Sequence, residues 1–487
     1  MLQVNVTLPS GNEKSLQVPL SSNVGDLRSL SQKSFGQSCL KLVTAEGHIL
    51  SNPTESLEAA GVQEGDRLTG IVQEVQIAAT ERAFALWCCG GDRIVTWGLP
   101  DWGGDSSAMA WHKIRSVQQV QATSSAFAAL LADGSVVTWG DPDEGGDSSL
   151  VQSQLKSVQQ IQATDRAFAA ILADGSVTTW GGEAFGGDSS EVRDQLRNVR
   201  HIQSASHAFA AILADGSLVT WGFETCGGDS SSVQSQLRNV RQVQATYGAF
   251  AAILADGSVV SWGLPEYGGD SSAVQDQLIA VQQIQGTERA FAAVLANGSV
   301  VAWGNPHYGG DSSGVKDQLR DVRQIQATKS AFAAILADGS LVAWGDARCG
   351  GDSSVVCCDQ LRNVQKVQAS VGAFAAILAA GSVVTWGDPR YGGDDFEVRD
   401  QLCSVRQIQA TNSAFAAILS DGSVAAWGNR FCGGDTSAVQ GQLRKVQQIQ
   451  ATERAFAALL EDGSVVAWGN PDFGGDNSAI VEQLRYV

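Results

Sequence analysis

Apolar and polar positions alternate along most of the chain, in short runs punctuated by glycine. From Val75 onward three such runs recur in a fixed order, V-x-x-I-Q-A-T, then A-F-A-A-I-L, then S-V-V-x-W-G. Each reads as a short β-strand. Between the second and third lies L-A-D-G-S, and Asp-Gly flanked by apolar runs is a strong hairpin signal. It predicts a type I′ turn with positive φ at both central residues. Asn297-Gly298 serves equally well on that reading, whereas Ala380-Gly381 does not, because alanine is strained at positive φ. The first unit reads CCGGDRIV at this point and is irregular. After Trp-Gly come three or four variable residues, then G-G-D and S-S-x-V-x-x-Q-L. Val274 and Leu278, behind Ser271 and Ser272, fit one helical turn or a fourth strand, and the residues leave both open.

Ten Trp-Gly pairs mark the repeat, at Trp97, Trp139, Trp180, Trp221, Trp262, Trp303, Trp344, Trp386, Trp427 and Trp468, spaced by 41 residues with two intervals of 42. A period of this length signals an array whose units bury their apolar faces against their neighbours. Three or four short strands per unit, repeated radially, suit a β-propeller. If the G-G-D segment belongs to the unit that follows it, the first unit lacks one. Residues 474–487 are then expected to dock beside residues 75–80 and complete it.

Residues 1–73 lie outside the repeat. LQVNVTL and SLQVPL alternate around a PSG turn, NVGDLRSLSQKSF has helical spacing at Val24, Leu27, Leu30 and Phe35, and LKLVTAEGHIL returns to strand chemistry. Hairpin, helix, strands: the order is that of a small α+β domain, joined to the repeat by a few residues. The fold expected for the whole chain is mainly β, a β-grasp domain at 1–73 followed by a propeller of ten units at 75–487.

Composition narrows the function. Lys and Arg total 32 against 51 Asp and Glu, a formal charge of −19, which disfavours nucleic acid and anionic membranes as partners. No apolar run is long enough to span a bilayer and no signal peptide precedes the first strand, so a soluble cytoplasmic or nuclear protein is expected. The nine cysteines are odd in number and form no C-x-x-C pair, arguing against a disulfide framework or structural zinc and for reduced thiols. The five histidines share no position in the repeat, and no nucleophile, phosphate-loop or metal motif occurs. Neither catalysis nor a cofactor is expected. The recurring Gly-Gly-Asp-Ser-Ser supplies too few oxygens for calcium and reads as turn capping.

The repeat resembles the regulator of chromosome condensation family of β-propellers. DGSVVSWGLPEYGG stands where that family has its Asp-Gly, Trp-Gly and following glycines, and VQQIQATDRAFAAIL stands at its strand pair. The units are shorter than the family's and outnumber its usual seven blades, and its Gly-His is absent except for His207. The N-terminal segment resembles ubiquitin-like domains through MLQVNVTLPSG, LKLVTAEGHIL and ESLEAAGVQEGDRLTGIV. It has no di-glycine end, so conjugation is not expected. That resemblance puts Leu8, Val43 and Ile71 near an apolar patch and implies a receptor of the ubiquitin system as partner.

Fixed letters and free letters then separate. Tryptophan, phenylalanine and alanine are the core. The variable letters fall in two sets, just before A-F-A-A and just after Trp-Gly. In an up-and-down sheet these connections emerge on the same side, opposite the Asp-Gly hairpins. The first set offers Glu81, Arg82, Asp165, Arg166, Tyr247, Glu288, Arg289, Lys329, Glu453 and Arg454. The second offers Trp102, Phe185, Tyr267, Tyr308, Arg348, Arg390, Tyr391, Arg430 and Phe473. Aromatic and arginine side chains on a rigid rim suit protein recognition. The expected function is a non-enzymatic scaffold with protein partners, an adaptor in the ubiquitin system by resemblance. No ligase domain follows the last repeat, so ligase chemistry by that route is not expected. The alternatives are nucleotide exchange on a small GTPase, a role found in the repeat family, and a structural array without a client.

Overall fold

The computed structural model describes residues 1–36, 39–50, 55–89, 91, 93–107, 114, 116–354 and 361–484. Cys357, Cys358 and His112 lie outside them. From Val75 to Gly469 each Trp-Gly unit is one three-stranded antiparallel sheet, ten in all, with strands paired in sequence order. In the sixth, Val281–Gly286, Ala290–Leu295 and Val300–Gly304 form the meander. The protein is therefore mainly β, a propeller-like succession of sheets.

Alternation along the middle strand explains the stacking. Its two faces differ in bulk: Ala249, Ala251 and Ile253 of the fifth sheet meet Phe291 and Trp303 of the sixth in one buried cluster. Each small face receives the bulky face of the next sheet. Within every sheet the middle-strand Phe stacks on the Trp opposite, with centroids 5.1–5.3 Å apart. Each indole N–H then donates to a carbonyl of the preceding unit's Gly-Gly pair, as Trp303 Nε1 does to Gly268 at 3.0 Å. Gly268 has φ +91° and a Cβ there would stand 2.6 Å from Phe291 Cδ2. Only glycine fits both demands.

The succession closes on itself. Trp97 Nε1 of the first sheet donates to the Gly474 carbonyl at 3.1 Å. Phe473 and Ile480 join the cluster of Val75, Ile77 and Phe84, and Glu453 N–H donates to the Glu81 carbonyl at 3.1 Å.

Two local expectations need correction. In the Asp-Gly hairpins only glycine has positive φ: Gly257 is at +81°, Gly298 at +78° and Gly381 at +81°, while the residue before each is not left-handed. Gly257 N–H donates to Leu254 and Leu254 N–H to Ser258, a type I turn closed by a left-handed glycine, so Ala380 fits as well as aspartate. What Ala380 lacks is the carboxylate that in the fifth sheet accepts from Ser258 N and Oγ at 2.9 and 2.7 Å. Ala380→Asp is expected to raise the thermal midpoint slightly. The equivalent Asp256 carboxyl is held below its ordinary range by these serine bonds, so the gain should be present above pH 4 and vanish as pH falls below it; equal midpoints at pH 7 would refute the assignment.

Among the described residues the G-G-D-S-S segment forms turns, several of them 3-10 such as Ser272–Gln277, and no fourth strand. Gln275 Nε2 donates to the Val259 carbonyl at 2.9 Å and covers the outer edge of the strand before it. The aspartate caps the turn, Asp270 Oδ1 accepting from Ser272 N at 2.9 Å. Nine residues ahead of first strands, among them Ala280 and Lys445, adopt φ of +55° to +61°. That tuck lets Val281 N–H reach the Gly257 carbonyl of the preceding hairpin.

The N-terminal domain has β1 (Leu2–Thr7), β2 (Glu13–Val18), α1 (Val24–Phe35), β3 (Leu40–Val43) and β4 (Arg67–Val72), with sheet order β2-β1-β4-β3. Asn23 and Asp26 cap α1 reciprocally. Leu8 does not belong to an exposed patch. It is buried with Val4, Val6 and Leu68 because Gly70 in β4 leaves room for its side chain. Val43 is half-buried and Ile71 exposed.

The expectation of reduced thiols also fails at one place: Cys39 and Cys88 form a disulfide. Cysteine spacing gave no hint because the bond joins two domains. β4 passes into the first sheet through Gln73 and Glu74 alone. Gln73 N–H donates to the Cys39 carbonyl, and its Nε2 to that of Cys89, which holds the two cysteines side by side. Cys88 ends a middle strand at the hairpin end of the sheet, so the N-terminal domain is fastened to the face opposite the variable loops. No described helix is long and apolar enough to cross a membrane.

Candidate functional site: the variable-loop face

Both variable sets do share one face, and the hydrogen bonds show why. The threonine ending the first strand donates to the turn after Trp-Gly, as Thr287 Oγ1 does to the Tyr308 carbonyl at 2.9 Å. The residue before A-F-A-A accepts from the same turn, as Gly248 does from Leu264 N–H at 3.0 Å. Each loop is thus laced to its partner in the same sheet.

The face has an inner ring, a middle tier and an outer rim. Glu81, Asp165, Tyr247, Glu288, Lys329 and Glu453 belong to the inner ring, around a central cavity of about 910 Å³. Backbone bonds of 2.8–3.2 Å run from one inner residue to the next, Glu81 to Ser124, Ser124 to Asp165 and onward to Glu453 and back to Glu81. Nine such steps are made. Among the described residues the step between Ser206 and Tyr247 is the one without this bond.

The middle tier is interlocked. Arg82 lies between Trp102 and Phe473, 4.4 and 4.8 Å from the ring centroids. Arg289 lies between Tyr267 and Tyr308 at 4.7 and 5.0 Å. Arg166 covers Phe185 at 5.0 Å and pairs with Glu144, and Arg454 covers Phe473 at 4.9 Å. Where the middle position is Gly372, Tyr391 folds over it; where it is Ser125, Glu144 accepts its hydroxyl. Most of the predicted aromatic residues therefore hold the chain's own arginines.

The outer rim remains free. Arg348 and Arg390 are exposed and paired within their own turns to Asp346 and Asp388, at 3.1 and 2.6 Å. Arg430 sits over Phe431, itself 71% exposed. The rim changes charge around the ring: Asp472, Asp101, Asp143, Glu183, Glu224 and Glu266 occupy the turns of the tenth and first five sheets, while those of the sixth to ninth carry His307, Arg348, Arg390 and Arg430, with Asp346 and Asp388 balancing two of the arginines. The variable sets contain His207, Phe223 and Phe431 as well, which sequence reasoning did not single out as contact residues.

The acidic side shows in the titration of Asp165. Burial, with Glu81 and Glu144 adding repulsion against the help of Ser206 and Arg166, pushes its carboxyl up to about 6. Glu81 is raised by burial and by Glu453 and Glu144. An acid raised in the folded state stabilises it below the unfolded value near 3.8, and that contribution is lost as pH rises through about 6. Asp165→Asn, which keeps the shape and removes the charge, is expected to add on the order of 1–2 kcal/mol at pH 7, after allowance for partial exposure, and nothing at pH 3.5. Chemical denaturation at both pH values checks this. A gain of equal size at both would point to hydrogen bonding instead of charge.

Among the described residues no cluster of His, Cys, Asp and Glu is placed to hold a metal ion. No protein-family model matches the chain, and no curated protein does either. Among solved structures, human WBSCR16 is 16% identical with a TM-score of 0.34, over 56% of this chain and 77% of that one. Prp20p from Saccharomyces cerevisiae, described with its binding to Gsp1p and histones, is 14% identical with a TM-score of 0.32, over 78% and 86%. A computationally designed protein is 14% identical with a TM-score of 0.31, over 64% and 96%. Likeness at this level transfers no residue.

Proposed function

We propose that the chain is a non-enzymatic scaffold that binds a protein on the variable-loop face. The observation that carries this reading is the convergence of both variable sets on one face of a closed array, with the N-terminal domain fastened to the other. Tight lacing of each loop fixes the rim, so a partner meets a preorganised surface and little ordering entropy opposes binding. The middle tier keeps the frame, while the rim residues Arg348, Arg390, Arg430 and Phe431 and the inner residues Tyr247 and Lys329 make the contacts.

For the N-terminal domain the reading is ubiquitin-like, with a receptor of the ubiquitin system as partner. Its support is the strand order β2-β1-β4-β3 with a helix after the first hairpin, and a solvent-facing group of Val43, Ile71 and Ile49, the last bridged to Val43 and 49% exposed. Leu8 has no part in it. Affinity capture with the full chain tests both ends. Clients should be lost when Arg348, Arg390, Arg430 and Phe431 are changed to serine and kept when Ile49 and Ile71 are, and ubiquitin-system proteins should do the reverse. Captures indifferent to both sets would overturn the scaffold reading.

A further inference from the structure

In the first, third, sixth and tenth sheets the chain's own guanidinium covers a loop ring. In the fifth, as in the eighth, the equivalent position is glycine, and Tyr267 lies against Gly248. Beside it two further rings are open: Phe223 is 47% and Tyr247 42% exposed. Both gather around His207, with centroids 6.3 and 5.1 Å from its ring, and His207 stacks on Phe185 at 4.5 Å. Tyr247 stands 6.0 Å from Tyr267. This is also where the inner backbone ring is interrupted, between Ser206 and Tyr247.

The charge around the patch is of one sign on its open side. Asp165 acts on the Tyr247 phenol from the cavity, Glu224 adjoins Phe223, and Glu266 precedes Tyr267. Arg166 and Arg289 are the cations close by; Glu144 and the Phe185 ring already hold the first, and Glu288 with the Tyr267 and Tyr308 rings the second. Exposed ring faces beside carboxylates suit a cation with an apolar stem, whose chain packs on the rings while its head reaches the acids. The protein itself shows the fit, since Arg82 and Arg289 each lie between two rings 4.4–5.0 Å away. An acidic segment or a phosphate backbone meets repulsion here, and a purely apolar one leaves Glu224 and Glu266 unanswered.

We propose that Phe223 and Tyr247 form a docking site for an arginine or lysine side chain on a basic segment of the partner protein. The proposal rests on the scaffold reading and adds the chemistry of the partner.

The test is fluorescence anisotropy on the full chain with a labelled Gly-Ser peptide carrying three spaced arginines, and the same peptide with glutamates as control. The arginine peptide should bind and the glutamate peptide should not. Phe223→Leu with Tyr247→Leu, which keeps apolar bulk and every charge but removes the ring faces, should weaken binding about tenfold. Glu224→Gln with Glu266→Gln should do the same. Asp256→Asn with Asp338→Asn, which removes as many carboxylates from the opposite, hairpin face, should leave it within about twofold. Thermal midpoints confirm that each variant is folded, and Tyr247→Phe, which retains both rings, should bind as the parent does. Unchanged binding in the leucine pair would overturn the proposal, because it would leave only diffuse attraction to an acidic protein. Clients captured through Arg430 and Phe431 while the peptide ignores the patch would refute the patch and leave the scaffold. Peptide binding at the patch without any client sensitive to the face would do the opposite.

Discussion

Gly268→Ala is expected to destabilise the protein by about 2–5 kcal/mol, among the largest effects available to a single methyl group. Two costs combine. The residue sits at φ +91°, where an L side chain is strained, and its Cβ would stand 2.6 Å from Phe291 Cδ2. Phe291 cannot retreat, because it is fully buried and stacked on Trp303 at 5.2 Å. Any shift of residue 268 also moves the carbonyl that accepts the Trp303 N–H. Gly314→Ala is the control. No atom lies within 4 Å of its ideal Cβ and its φ is not positive, so it should be neutral or slightly stabilising. Thermal and denaturant midpoints of the two variants decide the matter. Equal midpoints would mean that the Gly-Gly pair is not the joint between sheets.

That joint is the part of the fold most legible in the sequence. Trp-Gly and Gly-Gly recur at constant spacing because one indole must reach one glycine carbonyl in the neighbouring unit, and spacing is what a single sequence displays. The hairpin was readable in kind but not in geometry, since Asp-Gly serves two turn types and only the bonds at Leu254 and Ser258 distinguish them. The disulfide between Cys39 and Cys88 was out of reach, because it depends on how two domains abut.

The loop face was legible to a greater depth than the variable letters suggested. The residue just before A-F-A-A and the third residue of the following turn, about twenty positions on, change together: Arg with Trp102, Phe185, Tyr308 or Phe473; glycine with Tyr267 or Tyr391; serine with Glu144, Cys349 or Cys432. The structure gives the reason, for each pair shares one slot. Arginine fills it against a ring, glycine vacates it for tyrosine, and Ser330 and Ser413 bond to the cysteine thiols. Variation of this kind is packing, and it belongs to the frame. The rim tips and the exposed rings of the fourth and fifth sheets have no such partner letter, which is why recognition is assigned to them and not to Trp102 or Phe473.

Closure of the array makes the second large prediction. Deleting residues 474–487 is expected to cost about 3–5 kcal/mol, more than removal of a surface tail normally would. Trp97 Nε1 would lose the Gly474 carbonyl, leaving a buried donor unanswered. The Phe84 ring would lose the glycine that covers it, and Ile480 would leave the cluster of Val75 and Ile77. Asn477 Nδ2 would no longer reach the Val465 carbonyl at 2.8 Å, so the outer edge of the tenth sheet would open as well. Deletion of 481–487 alone keeps every one of these contacts and should leave the thermal midpoint where it was. Limited proteolysis separates the outcomes further: the longer deletion should expose cleavage sites in the first and tenth sheets and spare the fifth, because units of a stacked array unravel from their ends once ends exist. Identical midpoints and cleavage patterns for the two deletions would show that the first and tenth sheets do not depend on each other.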